Sequence, residues 1–170
     1  KNPFQRDTEI NAEGAQLIAN MLKVNQALKS ANLTGNSIGE GAIALSEALK
    51  SNKTLETLKL GFNGVDAAGA ESLAEMLKVN QTLKSANLTG NSIGDKGAIA
   101  LSEALKSNTT LEELKLYRNN IWHEGAESLA NMLKDNRALN SVDLGGNRIP
   151  GAGKQQLRDA VKGKTITLQL

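Results

Sequence analysis

The sequence predicts an α/β solenoid, a short horseshoe with a parallel inner β-sheet and outer α-helices. Two observations predict it. The pattern Leu-x-x-(Leu/Ala/Val)-x-Leu-x-x-Asn-x-(Ile/Val) starts at Leu28, Leu55, Leu83, Leu111 and Leu139, with a first step of 27 residues and later steps of 28. Each stretch reaches an asparagine (Asn36, Asn63, Asn91, Asn119 and Asn147), and an apolar stripe at helical spacing follows. A fixed period of this length describes stacked supersecondary units whose core is a row of layers, not a globule folded around one cleft.

Each unit reads as a strand and then a helix. In Leu111-Glu112-Glu113-Leu114-Lys115-Leu116 the apolar residues take the two-residue spacing of a strand with one buried face. Asn119 closes that strand, and a buried asparagine there has donors and acceptors for loop backbone in neighbouring units. Gly125, Ala126, Leu129, Ala130, Met132 and Leu133 then recur at three- and four-residue spacing. The same signal predicts helices over 12–24, 41–51, 68–79, 97–107, 125–135 and 152–162. Lys or Arg near their ends complements the helix dipole. Asn136 follows its helix at the position where asparagine tolerates a left-handed turn, and that turn is the expectation. Strand–helix–strand order makes the strands parallel with the helices outside, and the wider helical layer makes the stack curve.

The units also alternate in kind. Met21–Glu56 matches Met76–Glu112 at 33 of 36 aligned positions; the exceptions are Ala27/Thr82, Lys53/Thr109 and Glu40/Asp95, with Lys96 inserted. The duplicated element is therefore a pair of repeats. One member of each pair has Ala31 or Ala86 where the other has Leu58 or Leu114. A Leu-to-Ala difference in a packed layer costs about 2–5 kcal/mol unless neighbours fill the space, so the adjacent helices are predicted to move in. Residues 1–170 read as one domain, with about five repeats from Leu28 and partial repeats at both ends. Residues 1–10 continue the pattern weakly through Ile10. Thr165–Leu170 reads as a final strand whose open edge invites association with a second chain, further chain or a cap. The expected state is otherwise monomeric.

Composition narrows the function. Twenty basic and 18 acidic residues leave a net charge of +2, which points away from nucleic acid and from an anionic membrane. The chain has no cysteine, so thiolate metal sites, disulfides and cysteine nucleophiles are absent. A reducing, cytoplasmic location is the expectation. No apolar run has the length of a membrane span and no signal segment opens the chain. Because it begins at Lys1, the chain is expected to be a piece of a longer protein.

No residue set suggests an enzyme, a metal site or a cofactor. His123 is the only histidine and has no partner ligand in sequence. Glu112, Glu113 and Asp143 fall on an open face with no pocket to set an acid–base pair. Five Asn-x-Thr sequons, at Asn32, Asn52, Asn80, Asn87 and Asn108, recur because the repeat recurs. Along the strands, Lys29, Glu56, Lys84, Glu112 and Asn140 form a self-neutralising ladder. Against this background Phe62, Tyr117, Arg118 and the Trp122-His123 pair break the pattern. Three of the four aromatic residues therefore fall on the strand-end rim, and Tyr, Trp and Arg are the residue types that most often anchor interfaces. The candidate contacts are Lys59, Phe62, Lys115, Tyr117, Arg118 and Trp122, with the aromatics as anchors and the lysines as polar positioning groups.

The repeat Leu-x-x-Leu-x-Leu-x-x-Asn-x-Ile, followed by Gly-Ala-x-x-Leu-Ala-x-x-Leu-Lys-x-Asn, resembles the leucine-rich repeat superfamily over residues 10–170. Its 28-residue period with a full helix is similar to the ribonuclease-inhibitor type. A narrower resemblance, carried by Leu73–Asn80, Thr82–Ser85, Ala100–Leu105 and Ser107–Thr109, is to the repeat domain of tropomodulins and leiomodins. The first implies a module that binds a protein through its inner face and rim. The second implies a regulator of actin filaments. The near-copying of repeat pairs leaves a third reading open, an engineered or recently duplicated scaffold without a natural ligand.

Overall fold

A computed structural model describes residues 9–170; the opening segment 1–8, part of the weak N-terminal continuation, lies outside them. The elements alternate without exception: α1 (Ala12–Val24), β1 (Ser30–Asn32), α2 (Gly41–Ser51), β2 (Thr57–Lys59), α3 (Ala67–Val79), β3 (Ser85–Asn87), α4 (Gly94–Leu105), β4 (Glu113–Lys115), α5 (His123–Asp135), β5 (Ser141–Asp143), α6 (Gly151–Ala160) and β6 (Thr167–Gln169). The strands form one parallel sheet in chain order. Equivalent residues stand side by side, as in Ala31↔Leu58, Leu58↔Ala86 and Ala86↔Leu114. The middle residue of each strand from β1 to β5 points into the core, and its neighbours face the inner surface. The predicted final strand exists as β6, paired to β5.

Helix spacing follows from small residues. A Cβ on Gly41 would stand 2.6 Å from the Ala15 Cβ, and one on Gly97 would stand 2.7 Å from the Ala70 Cβ. The corresponding distances are 3.0 Å for Gly125 with Ala98, 3.4 Å for Gly69 with Ala42 and 3.5 Å for Gly153 with Ala126. Hence α2 and α4, the helices after the alanine-bearing strands, sit closest to their predecessors. At the C-terminal end, Lys154 and Arg158 of α6 take the places that Ala126 and Ala130 hold in α5. The last helix thus turns a charged face away from α5, while Ile166, Leu168 and Leu170 beside it stay half-buried.

Two rows of asparagines run through the stack. In the first row, Asn91 Nδ2 donates to the Leu60 and Leu88 carbonyls at 3.0 and 2.8 Å, and its Oδ1 accepts the Asn63 and Val65 N–H groups at 3.1 and 3.0 Å. Asn147 repeats this arrangement with Leu116, Leu144, Asn119 and Ile121. The second row stands just after the helices. Asn52, Asn80, Asn108 and Asn136 each donate from Nδ2 to the last helical turn of the preceding repeat, at Leu22, Leu49, Leu77 and Leu105, over 2.7–2.8 Å. Each Oδ1 accepts the N–H groups two and three residues ahead, as Asn80 does from Thr82 and Leu83 at 2.9 and 2.8 Å. Beyond the last asparagine, the Lys164 ammonium takes over, donating to the Leu133, Lys134 and Asn136 carbonyls.

This second row corrects the expected left-handed turn. Asn136 has φ −61° and ψ 135°, which is extended backbone. Its side chain closes the turn, so the backbone has no need to reverse into the left-handed region. Asn80→Ala removes five side-chain hydrogen bonds from a buried site, four of them to backbone groups (the Leu49 and Asn52 carbonyls and the Thr82 and Leu83 N–H groups). Each is worth about 1 kcal/mol net, more where a partner is left unsatisfied. We expect a loss of at least about 3 kcal/mol in urea denaturation, against under about 1 kcal/mol for Asn32→Ala, whose exposed side chain accepts a single N–H from Thr34.

Candidate functional site

The inner face is built by the residues flanking each buried strand centre. Glu56 lies between Lys29 and Lys84, at 3.3 and 2.9 Å, and the two ammonium groups hold its carboxyl below the ordinary carboxylate range, Lys84 contributing most. On β3 and β4, Glu113 accepts the Ser85 hydroxyl at 2.6 Å and pairs with Lys115 at 3.0 Å, and these two contacts lower its pKa. Of the two predicted lysines, Lys115 is therefore tied to Glu113, whereas Lys59 makes no ion pair among the described residues. The charge ladder read in the sequence is real from Lys29 to Lys84. It leaves most of the inner face electrically balanced.

The rim beyond the strand ends is different. Phe62 and Arg118 occupy the position held by Gly35, Gly90 and Gly146 in the other repeats, and they keep its left-handed backbone, with φ 55° and 52°. For a residue with a Cβ this conformation costs about 1–2 kcal/mol. Each side chain lies over the glycine of the next repeat. A Cβ on Gly90 would meet the Phe62 ring at 2.4 Å, and one on Gly146 would meet the Arg118 Cγ at 2.7 Å. The alternation of bulky residue and glycine lets every second repeat raise a large side chain over its flat neighbour. Phe62 remains 53% exposed.

Arg118 sits 5.2 Å from the Tyr117 ring centroid, and Arg148 sits 5.1 Å from that of Trp122, both within cation–π range. Trp122 is 46% exposed at the start of α5. Its position is that of a helix cap: Asn11 and Asp66, its counterparts, accept the Gly14 and Gly69 N–H groups at 2.9 and 3.0 Å. Trp122 has no such acceptor. Instead Asp95, from the first turn of α4, accepts the Trp122 and Gly125 N–H groups at 2.7 and 3.0 Å. The cap of α5 thus comes from the preceding repeat. Asp95 reaches it because α4 starts at Gly94, three residues before the predicted start, with the inserted Lys96 in its first turn.

The structure therefore places Tyr117, Arg118 and Trp122 on one loop, between β4 and α5, with Arg148 of the next loop over Trp122, and places Phe62 on the same rim two repeats earlier. Sequence reading missed Arg148 and Asp95. The loop column Ser37, Gly64, Ser92, Asn120, Arg148 contained a signal for the first, and the Glu40/Asp95 change beside the Lys96 insertion contained one for the second. The other candidates resolve in structural terms. His123 faces Glu127 at 4.0 Å on the exposed side of α5. Asn52, Asn80 and Asn108 are buried with their amide hydrogens committed to carbonyls, so these three sequons cannot accept a glycan in the folded chain. Among the described residues, no group of three metal-binding side chains converges and no helix is long and apolar enough to cross a membrane. A groove between α1 and α2, lined by Ala12, Gln16, Glu40 and Ile43, is open and includes none of the rim residues.

A family model of the TMOD/LMOD leucine-rich domain matches residues 44–122. The chain is a leucine-rich-repeat solenoid that resembles tropomodulin and leiomodin. The solved structure of leiomodin-1 actin-binding site 2 superposes with a TM-score of 0.73 at 25% identity, covering 85% of each chain. The tropomodulin C-terminal domain of Caenorhabditis elegans superposes at 0.71 and 16% identity, over 89% of this chain and 91% of that one. An internalin from Listeria monocytogenes shares the fold at 0.54 and 21% identity, over 91% of this chain and 36% of its own length.

The strain at the rim is directly testable. Phe62→Ala keeps the left-handed backbone cost and loses the ring, whereas Phe62→Gly loses the ring and releases the strain. We expect Phe62→Gly to be the more stable of the two by about 1 kcal/mol in thermal unfolding. The reverse order would remove backbone strain from the account of this position.

Proposed function

We propose that this chain is a non-catalytic protein-binding module that engages actin through its inner face and strand-end rim. The observation that carries this reading is the likeness to leiomodin-1 actin-binding site 2 over 85% of both chains, with the TMOD/LMOD match across residues 44–122. That stretch contains all six candidate contacts, Lys59, Phe62, Lys115, Tyr117, Arg118 and Trp122. In this reading Phe62, Tyr117 and Trp122 anchor, Arg118 supplies a planar donor fork, and Lys59 supplies a free charge. Lys115 acts through its pairing with Glu113. A cytoplasmic setting accompanies an actin partner. Exposed aromatic and arginine side chains held on strained backbone favour a contact surface over a scaffold without a ligand, which has no use for the strain.

The test is pyrene-actin assembly with barbed ends blocked, paired with filament co-sedimentation. The expected outcome is altered pointed-end elongation or nucleation at micromolar protein. Trp122→Ala or Tyr117→Ala should weaken the effect at least about tenfold, corresponding to about 1.4 kcal/mol, with no change in thermal midpoint. No change in elongation or nucleation, together with no co-sedimentation, sinks the actin reading.

A further inference from the structure

The five loops that follow strands β1 to β5 contain four charged residues: Glu40 and Asp66 at the far ends of the β1 and β2 loops, and Arg118 and Arg148 in the β4 and β5 loops, which contain no carboxylate. This contrasts with the inner face, where acids and bases alternate and pair. Both arginines are exposed, both lie on aromatic rings, and they stand on adjacent loops. Stacking holds each guanidinium plane in place while leaving edge N–H groups free for a bidentate acceptor. Next to them Trp122 presents apolar surface, and Asp95 fixes the start of the helix from which it projects.

We infer that this cation–aromatic rim, Tyr117-Arg118 with Trp122-Arg148, takes a protein segment in which carboxylates flank an apolar or aromatic side chain, and that Asp95 is the positioning residue that frees Trp122 for it. The apolar side chain packs on Trp122 while the carboxylates accept from Arg118 and Arg148. Charge selects this class of partner, because a segment carrying Lys or Arg would meet two guanidinium groups on the β4 and β5 loops, which contain no acid, while the Asp95 carboxylate beside them is committed to the Trp122 and Gly125 N–H groups. A membrane surface is disfavoured by number: each basic residue adds only about 1 kcal/mol of lipid attraction, and this rim has two. The role of Asp95 follows from the cap exchange. In α1 and α3 the cap residue is Asn11 or Asp66 and belongs to the helix it caps, so that position cannot carry an anchor. In α5 the acceptor has moved to the previous repeat, and the vacated position carries the only tryptophan of the chain.

This inference deepens the reading of the rim as a protein contact surface, and its test separates the two. Random dodecapeptides displayed on phage are selected on the wild-type chain and on Trp122→Ala, which leaves the Asp95 bonds in place. The expected wild-type selections are rich in Asp or Glu around an aromatic or aliphatic residue and are not recovered on Trp122→Ala. A synthetic peptide of the selected sequence should shift Trp122 emission, bind at least about tenfold more weakly to Arg118→Gln and to Arg148→Gln, and weaken with salt. Selections without acidic enrichment, or equal recovery on Trp122→Ala, overturn the assignment. For Asp95, the Asp95→Ala change should lower the thermal midpoint by about 2–4 °C and alter the unbound emission, while Asp95→Ala/Trp122→Asp recovers the midpoint and binds no peptide. Unchanged midpoint, emission and affinity in Asp95→Ala remove it from the site. Actin co-sedimentation of the same variants distinguishes the readings. Peptide binding without actin binding sinks the actin reading alone, and actin binding that survives Trp122→Ala and Arg148→Gln removes the rim from the actin contact while the peptide selections still decide the rim assignment.

Discussion

Buried asparagine amides hold this solenoid in register. A strand of three residues and a helix of three turns cannot satisfy the backbone of the loops between them, and in a stacked architecture those loops are pressed together away from water. Unpaired, each such N–H or C=O would cost on the order of 1–3 kcal/mol. The two asparagine rows resolve this by acting between repeats: amide hydrogens reach back to the carbonyls of the previous unit while the amide oxygen, that of Asn119 excepted, gathers N–H groups of its own or a neighbouring loop. Because the donors and acceptors sit about one repeat apart, the period of the sequence and the spacing of the layers are locked to each other. At residue 164 an ammonium group, Lys164, takes the place that the next asparagine of this row would hold.

That constraint also determines where variation is possible. The core columns and the asparagine rows are bound by their neighbours on both sides. The position after the seventh residue of each unit is not, provided its backbone can be left-handed. Glycine fills it at no cost in three repeats, and Phe62 and Arg118 fill it with strain in the other two. Each bulky side chain rests on a glycine of the adjacent repeat, so the strained and the permissive positions depend on each other across the stack. The Trp122–Asp95 exchange works in the same way. A helix cap lost from one repeat is supplied by a carboxylate in the one before it. Both surface features are therefore properties of pairs of repeats, matching the paired duplication visible in the chain.

Much of this was legible beforehand, and the reasons differ by element. The strands and helices were readable because periods of two and 3.6 leave distinct marks, and five copies of the pattern average out local ambiguity. The aromatic and cationic exceptions were readable because the repeats around them are nearly identical. The conformation after the helices was not. Asparagine tolerates a left-handed turn and also closes an extended one with its side chain, and the choice depends on a carbonyl about 30 residues away. Asp95 and Arg148 stayed hidden for a related reason: each acts on a residue of a different repeat, at a distance that the spacing within one repeat does not express.

The sequence by itself determined the repeating strand–helix order, the parallel order of the strands, the helical outer layer and the rim as the place where the copies diverge. These follow from hydrophobic periodicity and chain connectivity, which are local. Only the tertiary structure decided that the second asparagine row bridges repeats, that Phe62 and Arg118 carry backbone strain, that Lys115 is held by Glu113, and that Asp95 caps the helix at whose start Trp122 stands half-exposed beside Arg148. Each of those is a contact between units stacked side by side, and it exists only once the layers have closed to a spacing of about 5 Å between strands.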